Sequence, residues 1–101
     1  MNIPKKGFYT HYKHDPQGLP YNYIYEVIGI ARNTEEKTYT VLYRPLYENE
    51  WFKPADYQSR PLDMFNENVT KDGKILPRFK LITDPGIISK LTEVRLKMYT
   101  S

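Results

Sequence analysis

The residues with chemical potential in this chain are mostly tyrosines and arginines. Tyr12, Tyr25, Tyr43 and Tyr47, and likewise Arg44, Arg60 and Arg78, come from different stretches of the chain, mostly predicted strands. Aromatic faces beside guanidinium forks suit a flat π-system carrying an anionic group. A base with its phosphate fits that description, and so does a proline-rich or modified peptide. Glu26 is the one acid inside an apolar run. It reads either as a general base or as the ion-pair partner of Arg44 or Arg60. Tyr12, Tyr25, Glu26, Tyr43, Arg44, Tyr47, Arg60 and Arg78 therefore form the candidate ligand-binding set. The plainer alternative has the tyrosines at the core edge and the arginines paired with Glu26, Asp63 and Glu67.

Other chemistries find little support. His11, His14 and Asp15 are the only metal-like cluster. Two histidines three apart in a strand-to-loop segment do not converge as they would on a helix. The plainer reading is a partly buried His11 and a solvated His14, and no metal site is assigned. The Gly-x-Ser-x-Gly nucleophile motif does not occur, and Glu35-Glu36 sits on a turn. Glycines 7, 18, 29, 73 and 86 are isolated, which argues against phosphate-binding loops. There is no cysteine, so disulfides, thiolate metal sites and a cysteine nucleophile are excluded. No catalytic residue and no cofactor are expected.

The elements that must position these side chains centre on Tyr23 to Tyr47. Two runs rich in Val, Ile, Thr and Tyr flank the polar break Asn33 to Lys37, the pattern of a hairpin. The first run, Tyr23 to Arg32, is apolar on both faces around Val27-Ile28-Gly29-Ile30-Ala31. That predicts a strand covered on both sides or bent, with Gly29 at a bend, a bulge or a close approach. The second, Thr38 to about Arg44, alternates cleanly, and Pro45 marks its end. Gly7 to Tyr12 reads as a first strand, and Lys13 to Tyr21 as a loop. Tyr47 to Ser59 reads as a long loop with a possible short strand and the aromatic pair Trp51-Phe52. Pro61 opens a helical turn through Phe65. Asp72-Gly73 joins a last hairpin, residues 66–70 with 75–82. Asp84 caps a helix from about Pro85 to Met98, whose stripe is Ile87, Ile88, Leu91, Val94 and Met98. Val27, Ile28, Ile30, Val41, Leu42 and Phe79 are the expected core.

A length of 101 residues fits one domain. Residues 1–6 are expected to be loose, and residues 83–101 to form a helical segment packed on the domain or on a partner. Fifteen Lys and Arg stand against twelve Asp and Glu, a net charge of +3 scattered along the chain. Ten tyrosines are the compositional oddity, eight of them between Tyr9 and Tyr47. No apolar run approaches the roughly 20 residues of a membrane span, and Met1 to Phe8 is not a signal peptide. A cytoplasmic, non-membrane protein is expected.

Five motifs occur in the same order in the DUF1653 family. They are Gly7-x-Tyr9-x-His11-Tyr12, Tyr25-Glu26-Val27-Ile28-Gly29-x-Ala31, Val41-x-Tyr43-Arg44-x-Leu46-Tyr47, Arg60-Pro61-x-x-Met64-Phe65 and Gly73-x-x-x-Pro77-Arg78-Phe79. The chain resembles that family from about Gly7 to Ile82. The resemblance implies a small, SH3-like β-barrel and brings no mechanism. Asn33 stands where members often have histidine, and Gln58 where they often have tryptophan. The loop from Glu48 to Tyr57 is longer than usual, and the helix from Pro85 lies outside the resemblance. The expected fold is thus mainly β, a barrel of about five strands with a C-terminal helix. The expected function is a binding module for nucleic acid or a nucleotide. The alternatives are a protein-interaction domain, as monomer or homodimer, and more distantly an enzyme.

Overall fold

In a computed structural model, residues 2–47 and 57–99 are described. The expected loop and its pair Trp51-Phe52 lie largely outside them.

The central hairpin forms as its pattern requires. Strand β1 spans Gly7–His11, β2 Ile24–Asn33 and β3 Thr38–Pro45. Strand β4 spans Gln58–Pro61, and the one-turn helix α1, Leu62–Phe65, comes directly after it. Strands β5 (Asn68–Lys71) and β6 (Lys74–Pro77) make a separate two-stranded ribbon. Asp72 and Gly73, at φ 52° and 74°, turn it in the left-handed conformation that an Asp-Gly pair tolerates. The second arm of this ribbon is shorter than expected. Phe79–Leu81 leave it as β7 and pair with β1 instead, giving a five-stranded antiparallel sheet in the order β4-β3-β2-β1-β7. The sheet curls towards one face, so that Arg60 of one edge strand lies 5.5 Å from the Phe79 ring of the other.

The inner face holds Tyr9, Tyr25, Val27, Val41, Tyr43, Phe65 and Phe79 in one buried cluster. Cross-strand register explains the membership, since residues directly opposite share a face. Tyr9 faces Tyr25, Val27 faces Tyr43 and His11 faces Phe79. Of the expected core, Val27, Val41 and Phe79 are buried, while Ile28, Ile30 and Leu42 are only half-buried. Leu42 alternates with Val41 and Tyr43 along β3 and so faces the other side; on β2 a β-bulge between Val27 and Gly29 inserts Ile28 and reverses the facing of the rest of the strand, which puts Ile30 at the margin of the inner cluster. Gly29 is beside that bulge but not at a close approach: a Cβ there would meet nothing within 4 Å.

The outer face is covered by the helix α2, Pro85–Met98. Asp84 caps it, its carboxylate accepting from the amides of Gly86 and Ile87. Leu91 is buried against Phe8, Ile24, Leu46 and Tyr99, with Ile88, Val94 and Met98 at the margin. Ile87, placed in the stripe by spacing, is instead largely exposed. No helix among the described residues is long and apolar enough to cross a membrane.

Candidate functional site

The fold divides the candidate set among separate places. Tyr25, Tyr43 and Tyr47 are in the inner core, each less than one-tenth exposed. The Tyr25 and Tyr47 hydroxyls are 3.1 Å apart. Burial, and after it the hydrogen bond with Tyr47, pushes the Tyr25 phenol far above its ordinary value; burial also raises Tyr47. Tyr25 and Tyr43 meet edge to face, their ring centroids 5.2 Å apart. Rings packed this way are occupied by one another rather than offered to a ligand.

Glu26 and Arg44 are directly opposite across β2 and β3, on the outer face beneath α2. Arg44 Nε and Nη2 each lie 3.1 Å from Glu26 Oε1. Arg95 of α2 brings its Nε to 3.6 Å from the other carboxylate oxygen. The Arg44 guanidinium also lies 3.9 Å from the centre of the Tyr99 ring, and the Tyr99 hydroxyl donates to the Pro45 carbonyl. A carboxylate held between two guanidiniums has its charge neutralised, so this group anchors the helix to the sheet.

Arg60 faces inward. Its Nε donates to the Tyr43 hydroxyl at 3.3 Å, and no carboxylate among the described residues lies within ion-pair distance of it.

Tyr12 and Arg78 come together at the end of β1. The Tyr12 amide donates to the Arg78 carbonyl, and the Arg78 amide to the Glu67 carbonyl, so the chain at Arg78 ties the β5–β6 ribbon to the sheet. The Arg78 guanidinium is 6.0 Å from the Tyr12 ring centre and pairs with Glu67 at 3.1 Å. Three lysines that sequence reading did not single out join them. Lys13 Nζ lies 5.9 Å from the same ring centre, and Lys71 Nζ donates to the Tyr12 carbonyl at 3.1 Å. Lys80 lines a groove of about 410 Å³ beside Tyr12, whose other walls include Pro16, Leu76 and Pro77. No charge run announces these lysines; Lys13 follows Tyr12 in the chain, and register and ribbon packing bring Lys71 and Lys80 to it.

The groove wall at His14 and Pro16 belongs to the loop before β2. Asn22 knits that loop together: its side chain accepts from the Asp15 amide and donates to the carbonyls of Asp15 and Leu19. His14 is itself fixed, Nδ1 donating to the Asn22 carbonyl at 2.6 Å.

His11 forms the back of this region, tilted against Tyr12 with ring centroids 4.6 Å apart. Its Nδ1 accepts from the Lys13 amide, which places the ring proton on Nε2. Burial first, then the positive fields of Arg60, Arg78 and Lys13, lower its pKa to about 4. At neutral pH the imidazole is uncharged. Among the described residues no group of three or more His, Asp or Glu is placed to hold a metal.

Comparison with known proteins agrees with the sheet and its motifs. The family described as "Protein of unknown function (DUF1653)" matches residues 7–81. A crystal structure of a DUF1653 protein from Bordetella bronchiseptica is 30% identical and superposes with a TM-score of 0.59, covering 79% of this chain and 92% of that one. No curated protein matches. With three-quarters of its length inside the family's span and a solved member 30% identical over most of both chains, the chain belongs to the DUF1653 family.

Proposed function

We propose that this domain is a non-catalytic module that binds single-stranded nucleic acid along the Tyr12 groove. The observation that carries the reading is a set of four cations near the half-exposed Tyr12: Lys13 and Arg78 beside its ring, Lys71 on its carbonyl and Lys80 in the groove it lines. A π-face with phosphate-seeking cations on either side is what a stacked base and its flanking backbone require. Of the nearby acids, Glu67 is taken up by Arg78, and the Asp15 carboxylate caps the Gln17 amide. Arg60 stands apart from the groove and is not assigned to it.

Titration of the protein with labelled, mixed-sequence single strands tests this. Three or four phosphate contacts predict a log–log salt slope of about −2 to −3. Lys80→Ala should make that slope shallower by about 0.7. Absence of binding at low salt and high micromolar protein overturns the reading. Salt-insensitive binding of a proline-rich peptide instead would assign the apolar wall of Pro16, Leu76 and Pro77 to protein recognition.

A further inference from the structure

We propose that Arg60, Tyr43 and His11 form a phosphate-binding site at the seam between the edge strands β4 and β7. The site is separate from the Tyr12 groove and does not depend on that groove taking a strand. Strand β4 alternates, with Gln58 and Arg60 half-buried and Ser59 and Pro61 exposed. Arg60 is directly opposite the fully buried Val41, so its side chain enters the inner face. There its guanidinium carbon lies 5.5 Å from the centre of the Phe79 ring. The Tyr43 and His11 rings are centred 5.7 and 4.9 Å from the same point. Phe65 covers one face of Phe79, which leaves the other face and the ring edge to these polar neighbours.

Each of them carries a donor without an acceptor among the described residues. Arg60 spends Nε on the Tyr43 hydroxyl at 3.3 Å, and its Nη nitrogens make no hydrogen bond. They are not sealed from solvent as Arg78 Nε and Arg95 Nε are. Tyr43 offers its hydroxyl here, not its ring: the oxygen accepts from Arg60, and its own proton is unspent. His11 accepts at Nδ1, and its Nε2–H has no partner. Among arginines that are not exposed, Arg44, Arg78 and Arg95 each meet a carboxylate, and Arg60 does not. A cation drawn partly out of water without a counter-charge costs free energy. An acceptor-only oxyanion removes that cost and takes these donors together. Charge favours phosphate over carboxylate. The positive fields of Arg60, Arg78 and Lys13 all reach His11, and no carboxylate offsets them there, so a dianion gains more than a monoanion.

His11 is the reporter for the test on the full chain. The charged groups facing it are Arg60 from β4, Arg78 from the corner before β7 and Lys13 just beyond β1; the rings packed on it are uncharged. An anion on Arg60 cancels part of that field, so the His11 pKa rises from about 4 towards 6.5. NMR titration of the imidazole in sulfate, a dianion throughout that window, is compared with chloride at equal ionic strength. Sulfate should raise the His11 pKa. At neutral pH, inorganic phosphate should raise the melting midpoint and acetate should not. Arg60→Gln should raise the His11 pKa in chloride and abolish both anion responses. Arg60→Lys keeps the charge without the fork, so it should keep the low His11 pKa and lose most of the phosphate response. A His11 titration that sulfate leaves unmoved, an equal response to acetate, or a full response in Arg60→Gln would overturn the site. Competition with sulfate by a 5′-phosphorylated strand but not by its 5′-hydroxyl counterpart would identify a strand end as the source of the phosphate. Competition by inorganic phosphate alone would identify a free one. Single-strand binding with no sulfate response would refute this site and leave the groove reading standing; a sulfate response with no strand binding would do the reverse.

Discussion

Tyr12 and His11 are neighbours in sequence with different exposure, because His11 ends β1 and Tyr12 lies just beyond it, its ring still tilted against the imidazole. His11 points inward and is buried against Phe79, while Tyr12 is half-exposed. Tyr12→Ala should weaken single-strand binding by about 1–3 kcal/mol, and Tyr12→Phe should restore it, since the ring rather than the hydroxyl is used. Comparison of both affinities at one salt concentration checks this. His11 makes a separate contribution to stability. Its folded pKa of about 4 lies below the ordinary 6.5, so the unfolded chain takes up this proton first. Stability contributed by the neutral ring is complete above pH 6.5 and is lost progressively as pH falls towards 4, by about 2–3 kcal/mol. Urea unfolding across that window should show the loss in the wild type. His11→Gln should flatten the His11 share of the slope; an unchanged slope would mean another group is responsible.

Among the elements, β2 is the one whose geometry is least like a regular strand. Its bulge at Ile28 turns the later residues over, and the open space around Gly29 shows that glycine is not required there for room. Gly29→Ala should therefore be neutral or stabilising, by up to about 0.5–1 kcal/mol, because it removes freedom from the unfolded chain. A clear fall in melting midpoint would contradict this. Helix α2 depends on its contact with the sheet, since fourteen residues are marginal alone in water. Leu91 is its deepest side chain, 1% exposed, and Leu91→Ala should cost about 2–5 kcal/mol. Below the helix, the Arg44–Glu26–Arg95 group fixes where it sits, by charge rather than by area.

Over the molecule as a whole, one sheet carries two cores, a largely aromatic one inside and a mixed aliphatic and aromatic one beneath α2. Shared strands couple them, so Val41→Ala on the inner face and Leu91→Ala on the outer should lower a single common transition, the former by about 2–4 kcal/mol. Separate transitions by far-UV and near-UV circular dichroism would show instead that the helix melts independently. The features legible in the amino-acid order were local ones. Alternation in Thr38–Arg44, the Asp72-Gly73 turn, the Asp84 cap and the doubly apolar run around Gly29 each depend on neighbours within a few residues, and each formed. Ordered motifs also sufficed to show the family. Which tyrosines face a ligand depended on facts that no local pattern carries. The bulge sets facing after Val27, the departure of β7 from its ribbon sets what meets Tyr12, and the curl of the sheet brings Arg60 to Phe79. Eight residues that look alike in sequence, Tyr and Arg on strands with one acid, thus separate into a core, a buried ion-pair anchor and a surface. Lys71 and Lys80 join Tyr12 and its sequence neighbour Lys13 only after the ribbon and β7 pack. Side-chain direction alternates with every residue, so a one-residue irregularity or an exchange of strand partner decides whether a ring is buried or exposed, and both arise only when the strands assemble.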